Sequence, residues 1–222
     1  MKRAVVLLSG GLDSTTVAAI AGKEYELYAL SFDYGQRHDK ELQCARAVAK
    51  AMGIVRHEVL KIPIGQLGGS SLTDDSMDVH DAGEAIGDEI PNTYVPARNT
   101  VFISFALGYA EVVGAEAIFL GVNAMDYSGY PDCRPEYIAA FQTVADLATK
   151  QGVEGEGPRL LTPLLHMTKA DIARTGMELG APLHLTWSCY RGGDAACGTC
   201  ESCTLRLKGF SDAGYEDPIR YA

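Results

Sequence analysis

The chain is 222 residues long and 47% hydrophobic, and its 29 acidic residues outnumber 19 basic ones to give a net charge of −10. This length suits one larger α/β domain with a small appended region. The negative charge opposes a phosphate backbone, so we expect no dedicated nucleic-acid binding. The most apolar later stretch, 100–122, contains Glu111 and Glu116, and no uncharged run approaches the roughly 18 residues of a membrane span. We therefore expect a cytoplasmic protein that does not enter the membrane.

The first predicted strand, Ala4–Leu7, is an unbroken apolar run, which is typical of a strand buried on both faces. The sequence Ser-Gly-Gly-Leu-Asp-Ser follows at 9–14, where two glycines permit a tight turn and Asp13 and Ser14 can begin a helix. A strand, a glycine turn and a helix N-terminus direct free backbone N–H groups at one point, so we predict an anion site. The alternative is a glycine turn that only connects the strand to the helix.

The spacing of this turn distinguishes it from two common phosphate loops. A Walker A loop needs Gly-x-x-x-x-Gly-Lys and a Rossmann turn needs Gly-x-Gly-x-x-Gly, and the segment 8–15 contains neither. Its sequence instead resembles the PP-loop of the ATP pyrophosphatases, which bind the β,γ-pyrophosphate of ATP and transfer AMP to their substrate. An acidic Asp13 beside phosphates indicates either a Mg²⁺ between them or a side chain that caps the turn.

The next elements predict a parallel sheet. A strand is expected at Glu26–Asp33, a helix at His38–Met52 and a third strand at Ile54–Ile62, which completes a β-α-β-α-β pattern. Ligands of such sheets lie beyond the carboxyl ends of the strands, where the Ser9 turn and the loop Asp33–Arg37 both fall.

Residues 61–92 form a long acidic loop in this prediction. Asp74 to Glu89 contains seven acids and neither lysine nor arginine, so it is a poor source of core residues. A loop of this length is a lid, a binding loop or a mobile insert, and composition does not choose between them.

Regular structure resumes with a helix at Val101–Val113, whose buried face is predicted to include Phe105, and a fourth strand at Ala117–Val122. Arg98 precedes that helix, where the helix dipole disfavours a cation. A bound phosphate or carboxylate would explain it, and so would a surface salt bridge. The loop 123–136 is polar and aromatic. Asp126 or Asp132 could accept two N–H donors from a guanine-like edge, although turns contain such residues for backbone reasons as well.

A helix at Glu136–Gln151, with Val144 on its buried face, and a short strand at Arg159–Thr162 come next. Thr168 then begins another helix, with Asp171 positioned as its capping-box partner. Lys169 lies in the first turn, where it opposes the helix dipole. It is predicted either to neutralise ATP phosphates or to be a solvated surface lysine.

Four of the six cysteines lie within fifteen residues, in the pattern Cys-x₇-Cys-x₂-Cys-x₂-Cys. Four thiolates close a tetrahedral Zn²⁺ shell with no open position, which indicates a structural zinc site. An iron–sulfur cluster also uses four thiolates, but no Cys-Pro follows here. Redox disulfides are the third alternative, in a compartment that keeps thiols reduced. The predicted metal ligands are Cys189, Cys197, Cys200 and Cys203.

Together these segments resemble one family, the 7-cyano-7-deazaguanine synthases of the queuosine pathway. The resemblance rests on the PP-loop, on Tyr-Val-Pro-Ala-Arg-Asn-Thr at 94–100, on the motif at 121–135 and on Ser-Cys-Tyr at 188–190 with the cysteines after it. It implies an adenine nucleotide alpha hydrolase-like fold: a three-layer α/β structure with a mostly parallel sheet between helices. It also implies a nucleotide-binding domain at 1–186, a zinc-binding region at 187–222 and a homodimer.

The same resemblance implies a ligase that converts 7-carboxy-7-deazaguanine, ammonia and ATP to 7-cyano-7-deazaguanine through adenylated intermediates. By this resemblance Asp13, Lys169 and Arg98 serve catalysis, and Asp126, Tyr127, Ser128 and Asp132 bind the deazaguanine. ATP, with Mg²⁺, is held by Leu8, Ser9, Gly10, Gly11, Leu12, Asp13, Ser14, Thr15, Thr16, Val17 and Ala18. Two alternatives stay open: a PP-loop tRNA thiolase, which the charge of −10 disfavours, and an ATP-binding regulatory module without chemistry.

Overall fold

The computed structural model describes residues 1–79, 81, 90–125 and 130–222. Within them, five strands pair in parallel: β1 (Lys2–Leu7), β2 (Tyr25–Asp33), β3 (Arg56–Lys61), β4 (Ala117–Phe119) and β5 (Arg159–Leu161). Their order across the sheet is β3-β2-β1-β4-β5. The predicted parallel α/β architecture is therefore confirmed.

The helices of the described residues connect these strands and flank the sheet. They are α1 (Leu12–Ala21), α2 (Lys40–Ala51), α3 (Arg98–Val113), α4 (Pro135–Ala148), α5 (Lys150–Val153), α6 (Lys169–Glu178) and α7 (Glu201–Ala213). Short 3₁₀ turns occur at Pro63–Leu67, Pro131–Cys133 and Leu183–Leu185. In the part of the chain that is described, no helix combines the length and the apolar composition needed to cross a bilayer.

Alternation along β1 creates two hydrophobic cores. Val5 belongs to the core that contains buried side chains of α3 and α4, whereas Ala4 and Val6 belong to the core formed with α1, α2 and α6. Successive side chains of a strand point to opposite faces, so a run that is apolar throughout needs helices on both sides. Helices therefore cover both faces of the sheet, which gives the predicted three-layer arrangement.

The predicted helix Glu136–Gln151 is wrong at its end. α4 stops at Ala148 because Thr149 has an extended backbone (φ −110°, ψ 154°), and its Oγ1 accepts a hydrogen bond from Gly152 N at 2.9 Å to begin α5. Threonine is a good N-cap, and this local bond competes with continuing the helix.

The prediction that two residues are buried is also wrong. Phe105 is 45% exposed and Val144 is 46% exposed, and further apolar side chains on the outer surface include Val112 and Leu147. The buried face of α3 is formed by Ile103, Ala106, Leu107, Ala110 and Val113. Because α3 and α4 are apolar around much of their circumference, sequence periodicity does not define which side faces the sheet.

A buried ion pair ties the end of the chain to α7 within the C-terminal region. Arg206 of α7 and Asp217 are each 2% exposed, and Arg206 Nε and Nη2 donate to the two carboxylate oxygens at 2.7 and 2.9 Å. Arg206 Nη1 also donates to Thr186 Oγ1 at 2.8 Å and to Ser188 Oγ at 3.2 Å. These bonds join the end of the chain to the segment that precedes Cys189.

The described part of the acidic segment packs on the same region. Val79 is buried beside Trp187 and the cysteines, and Arg191 Nη2 forms an ion pair with Asp81 Oδ1 at 2.9 Å. Arg37 Nη2 donates to the backbone oxygen of Asp74 at 2.6 Å. Basic residues elsewhere in the chain thus compensate for those that the segment lacks.

Gly10 determines how closely the loop after β1 approaches α2. Its backbone is left-handed (φ +88°), and a Cβ placed on it would lie 2.3 Å from Glu41 O and 2.6 Å from Ala45 N. Gly53 is also left-handed (φ +63°), but a Cβ there would meet nothing within 4 Å. Substitution of Gly53 therefore introduces backbone strain alone, whereas substitution of Gly10 introduces strain together with steric overlap.

We expect Gly53→Ala to lower the free energy of unfolding by about 1 kcal/mol, the cost of the left-handed backbone. Gly10→Ala should cost a further ~1–3 kcal/mol, because α2 must move away from the loop. Urea unfolding of the two variants measures this difference. Equal losses would contradict the close contact between the loop and α2.

Candidate functional site

A cavity of about 320 Å³ opens at the carboxyl edge of the sheet, next to β1, β2 and β4. The strand order reverses at β1, because β2 and β3 lie on one side of it and β4 and β5 lie on the other. Such a switch point is the usual location of ligands in open α/β sheets. Predicted site residues that line this cavity are Leu8, Ser9, Gly11, Leu12, Asp13, Ser14, Arg98 and Lys169.

Two serines maintain the shape of the loop 8–14. Ser9 N donates to Ser14 Oγ at 3.2 Å, and Gly11 N donates to Ser9 Oγ at 3.3 Å. In the described part of the chain, the backbone N–H groups of Gly10, Leu12, Asp13 and Ser14 donate to no protein group. The N-cap position of α1, Gly11, has no side-chain cap either. The loop therefore offers free donors and a helix N-terminus to an anion.

The rest of the predicted nucleotide-binding segment is covered by protein. Thr15, Thr16, Val17 and Ala18 are each 0% exposed, and they do not border the cavity. Thr16 faces α6, because a Cβ on Gly176 would come within 2.7 Å of its Oγ1. Contact with a ligand in the cavity is thus available to residues 8–14 and not to these four.

Asp13 and Lys169 form an ion pair within the cavity wall. Lys169 Nζ lies 3.1 Å from Asp13 Oδ1 and 3.0 Å from Oδ2. The predicted capping box of α6 is confirmed, with Thr168 and Asp171 bonded reciprocally. Of the two alternatives for Lys169, the solvated surface lysine is wrong, because its side chain is only 17% exposed.

Gly209 of α7 makes room for this lysine. A Cβ at position 209 would lie 2.5 Å from Lys169 Cγ and 3.0 Å from Lys169 C. Glycine inside a helix costs about 1 kcal/mol relative to alanine, so it is retained where packing requires it. A side chain at position 209 would therefore displace Lys169.

Arg98 begins α3 next to Ala97, whose backbone is left-handed (φ 54°). Its Nη1 donates to Tyr34 Oη at 3.4 Å, and its guanidinium lies 5.8 Å from the Tyr34 ring centre. Burial opposes the charge, but Tyr34 and Tyr130 raise the pKa of Arg98 above its usual value, so the side chain remains a cation. It forms no salt bridge with a carboxylate of the described residues. Its charge is directed at the cavity.

The predicted deazaguanine-binding residues fall into two groups. Asp126, Tyr127 and Ser128 lie outside the described residues. Asp132 is 6% exposed, and its Oδ2 accepts a hydrogen bond from Asn99 N at 3.0 Å, at the first turn of α3. The Asp132 carboxylate thus caps the helix that carries Arg98.

Several cavity residues were not predicted from the sequence. Tyr34 follows β2 in a loop that was placed at the ligand edge, and Tyr190 belongs to the Ser-Cys-Tyr motif, so both had a positional signal. Asn99 belongs to the motif at 94–100, so it had a positional signal as well. Glu41 lies on a helix that begins beside the cavity, and no pattern in the sequence indicates that it faces the cavity.

The four clustered cysteines converge as predicted. The Sγ atoms of Cys189, Cys197, Cys200 and Cys203 all lie within 4.8 Å of one another, and three of these residues are buried. Backbone donors surround them: Arg191 N and Cys197 N lie 3.4 Å from Cys189 Sγ, and Cys200 N lies 3.3 Å from Cys197 Sγ. Donated hydrogen bonds favour the thiolate form, so this cluster could hold a metal ion.

The cysteine cluster is attached directly to the loop 8–14. Trp187 N donates to Gly10 O at 2.9 Å, and Trp187 Nε1 donates to Cys189 O at 2.9 Å. Trp187, Ser188 and Tyr190 line the cavity between these attachments. A metal bound by the cysteines would therefore stabilise one wall of the cavity without entering it.

A comparison with solved structures supports the fold assignment. A predicted subunit of a tRNA methyltransferase from Methanocaldococcus jannaschii superposes with a TM-score of 0.51 and 19% identity, covering 80% of this chain and 75% of that one. At this identity the likeness concerns the fold alone.

Sequence relatives are far closer. A 7-cyano-7-deazaguanine synthase 2 of Desulfitobacterium hafniense is 60% identical over 222 residues, covering all of this chain and 94% of the relative. A 7-cyano-7-deazaguanine synthase of Cellvibrio japonicus is 58% identical over 224 residues, with 100% and 98% covered. The model of the family described as queuosine biosynthesis protein QueC matches residues 3–214. The chain therefore belongs to the QueC family of queuosine biosynthesis enzymes.

Proposed function

We propose that the chain is a ligase that converts 7-carboxy-7-deazaguanine and ammonia to 7-cyano-7-deazaguanine at the expense of ATP. The observation that supports this most is the shared cavity. Free N–H donors of the loop, the Asp13–Lys169 pair and the cation Arg98 border one space of about 320 Å³. A nucleotide and an acidic substrate both need positive or donor groups there.

The reaction needs ATP because a carboxylate is a poor electrophile and oxide is a poor leaving group. The carboxylate oxygen attacks the α-phosphate, pyrophosphate leaves, and an acyl-adenylate forms. Ammonia then displaces AMP to give an amide. Activation of the amide oxygen by a second ATP allows AMP to leave again, with loss of the N–H protons, and gives the nitrile. The protein contributes positioning and charge neutralisation.

We assign roles according to position in the cavity. The free N–H groups of Gly10, Leu12, Asp13 and Ser14 hold the pyrophosphate. Lys169 neutralises phosphate charge, and Arg98 neutralises the substrate carboxylate or the α-phosphate. The family resemblance, and not a position in the cavity, assigns Asp126, Tyr127 and Ser128 to the deazaguanine ring, while Asp132 supports Arg98 by capping α3.

Two metals are part of this proposal. Mg²⁺ would bind to Asp13 and the phosphates, since carboxylate and phosphate oxygens are its preferred ligands. Zn²⁺ would be held by the four clustered thiolates, which make a closed, structural shell. In this assignment residues 1–186 form the nucleotide-binding domain and residues 187–222 the zinc-binding region.

We further propose a cytoplasmic homodimer that does not bind nucleic acid. The net charge of −10 opposes nucleic acid. Apolar side chains on α3, α4 and α5 remain exposed, with Val112 at 77%, Leu147 at 74% and Val153 at 76%, as expected of a surface that a second copy covers. Sedimentation equilibrium tests the dimer, and a monomer at micromolar concentration would contradict it.

The reaction is tested by the products formed from ATP. We expect AMP and pyrophosphate only when 7-carboxy-7-deazaguanine is present, and the nitrile only when ammonium is added as well. Chromatography with mass detection measures all three. ATP consumption without the deazapurine acid would contradict this function, and ATP binding without any AMP would favour the regulatory module.

Asp13→Ala should reduce AMP formation by at least about 100-fold while the protein stays folded. Removing the negative charge of Asp13 from beside the phosphates would by itself favour ATP binding. A loss of rate would therefore show that the Asp13 carboxylate is needed, either to bind the metal or to position ATP. Asp212→Ala, an exposed change on α7, is the control. Near-normal turnover by Asp13→Ala would remove this residue from the site.

Metal analysis should find about one zinc ion per chain. Cys203→Ser should lose most of the metal and lower the melting temperature, because a buried ligand of a closed shell is removed. Cys44→Ser is the matched control, since Cys44 packs against the cluster without belonging to it. A brown protein that contains iron would contradict the zinc assignment.

A further inference from the structure

Glu41 is a cavity residue for which the roles assigned above give no purpose. It lies in the first turn of α2, and its side chain lines the same cavity as Asp13, Arg98 and Lys169. Among the described residues, its carboxylate accepts no hydrogen bond and forms no ion pair. The other cavity carboxylate, that of Asp13, is paired with Lys169.

An unpaired carboxylate in this position is costly for the folded protein. Burial raises the pKa of Glu41, and the nearby charges of His38 and Arg98 only partly oppose that shift. A charged group that loses contact with water without gaining a partner is destabilised. Groups of this kind are more common where a ligand supplies the partner.

The backbone contact of Glu41 places its helix against the loop around Gly10. Its carbonyl oxygen lies against Gly10 so closely that a Cβ there would be 2.3 Å away. The loop around Gly10 is the pyrophosphate site of the proposed function. Helix α2 therefore brings Glu41 next to the proposed pyrophosphate site, and the α-phosphate that receives the acyl group adjoins that pyrophosphate in ATP.

We infer that Glu41 binds the ammonium ion that supplies nitrogen to the reaction, an inference that rests on the proposed function. A poorly solvated carboxylate gains more from a cation than from a neutral N–H donor. Mg²⁺ is assigned above to Asp13 and the phosphates, and ammonium is the cationic reactant that remains. The guanine-like edge of the deazapurine offers only neutral donors. It also lies at the far end of the substrate from its carboxyl group.

The bound ion must become neutral before it can react. Ammonium transfers one proton to the Glu41 carboxylate and becomes ammonia with a free lone pair. That lone pair forms the C–N bond to the acyl carbon, the C–O bond to AMP breaks with its electrons going to AMP, and a second proton leaves to water. Glu41 thus holds the nucleophile and accepts its first proton.

The test separates adenylation from amide formation. Exchange of labelled pyrophosphate into ATP requires 7-carboxy-7-deazaguanine but no ammonium, whereas amide formation requires both. We expect Glu41→Gln to keep its exchange rate within about twofold of the wild type. Its KM for ammonium chloride should rise by about tenfold to hundredfold, the effect of losing a hydrogen bond to a charged group. Glu41→Asp, which retains the charge, should be affected less.

Two controls make the result specific. Asp39→Asn removes the same charge from the same end of α2, but at an exposed residue, and should leave the KM for ammonium unchanged. Hydroxylamine is mostly uncharged at neutral pH, so the Glu41→Gln enzyme should use it nearly as well as the wild type does.

Three results would overturn the inference. A raised KM for the deazapurine acid in exchange, with a normal response to ammonium, would make Glu41 a reader of the guanine-like edge. Equal losses of exchange and amide formation, or a lower melting temperature, would give it a structural role. An unchanged KM for ammonium would remove it from this step. Failure of the wild-type enzyme to exchange pyrophosphate would instead contradict the proposed function.

Discussion

The close contact between the Gly10 turn and helix α2 is the constraint on which the site depends. A side chain at position 10 would overlap the α2 backbone, and the Gly10 carbonyl accepts a hydrogen bond from Trp187. One turn thus joins the strand β1, the helix that carries Glu41 and the segment that leads to the cysteines. Its serines satisfy two of its own N–H groups and leave the others for an anion. The loop can present those donors only while its neighbours hold it in this shape.

The cavity contains two cations although the molecule as a whole is negatively charged. The chain carries −10, yet Lys169 and Arg98 both reach the cavity. Each lies near the first turn of a helix, where the dipole disfavours a cation. Asp13 balances Lys169, and Tyr34 contacts Arg98. A polyanionic ligand would form ion pairs with both Lys169 and Arg98. This is a physical reason for the two cations to lie where the local backbone opposes their charge.

The C-terminal region contributes to the site from outside the sheet. The hydrogen bond from Trp187 N to Gly10 O attaches it to the α/β layers, the buried Arg206–Asp217 pair ties the end of the chain to α7, and Gly209 leaves room for Lys169. A buried ion pair is a costly means of attachment unless each charge is fully satisfied. Arg206 meets that condition, because it also donates to Thr186 and Ser188. Part of the acidic segment packs on this same region through Val79 and Asp81. The cysteine cluster therefore supports a wall that several distant segments share.

The sequence by itself determined the parallel sheet, the glycine turn between β1 and α1, and the cysteine cluster. Each depends on local signals: an apolar run, a glycine turn before a helix, or thiolates at fixed spacing. Only the tertiary structure decided that Lys169 pairs with Asp13 across 156 positions, that Asp132 caps α3 and that Glu41 faces the cavity. It also decided that Phe105 points outward. These facts depend on how helices rotate and approach one another, and an apolar helix or a single acid contains no local signal for its orientation.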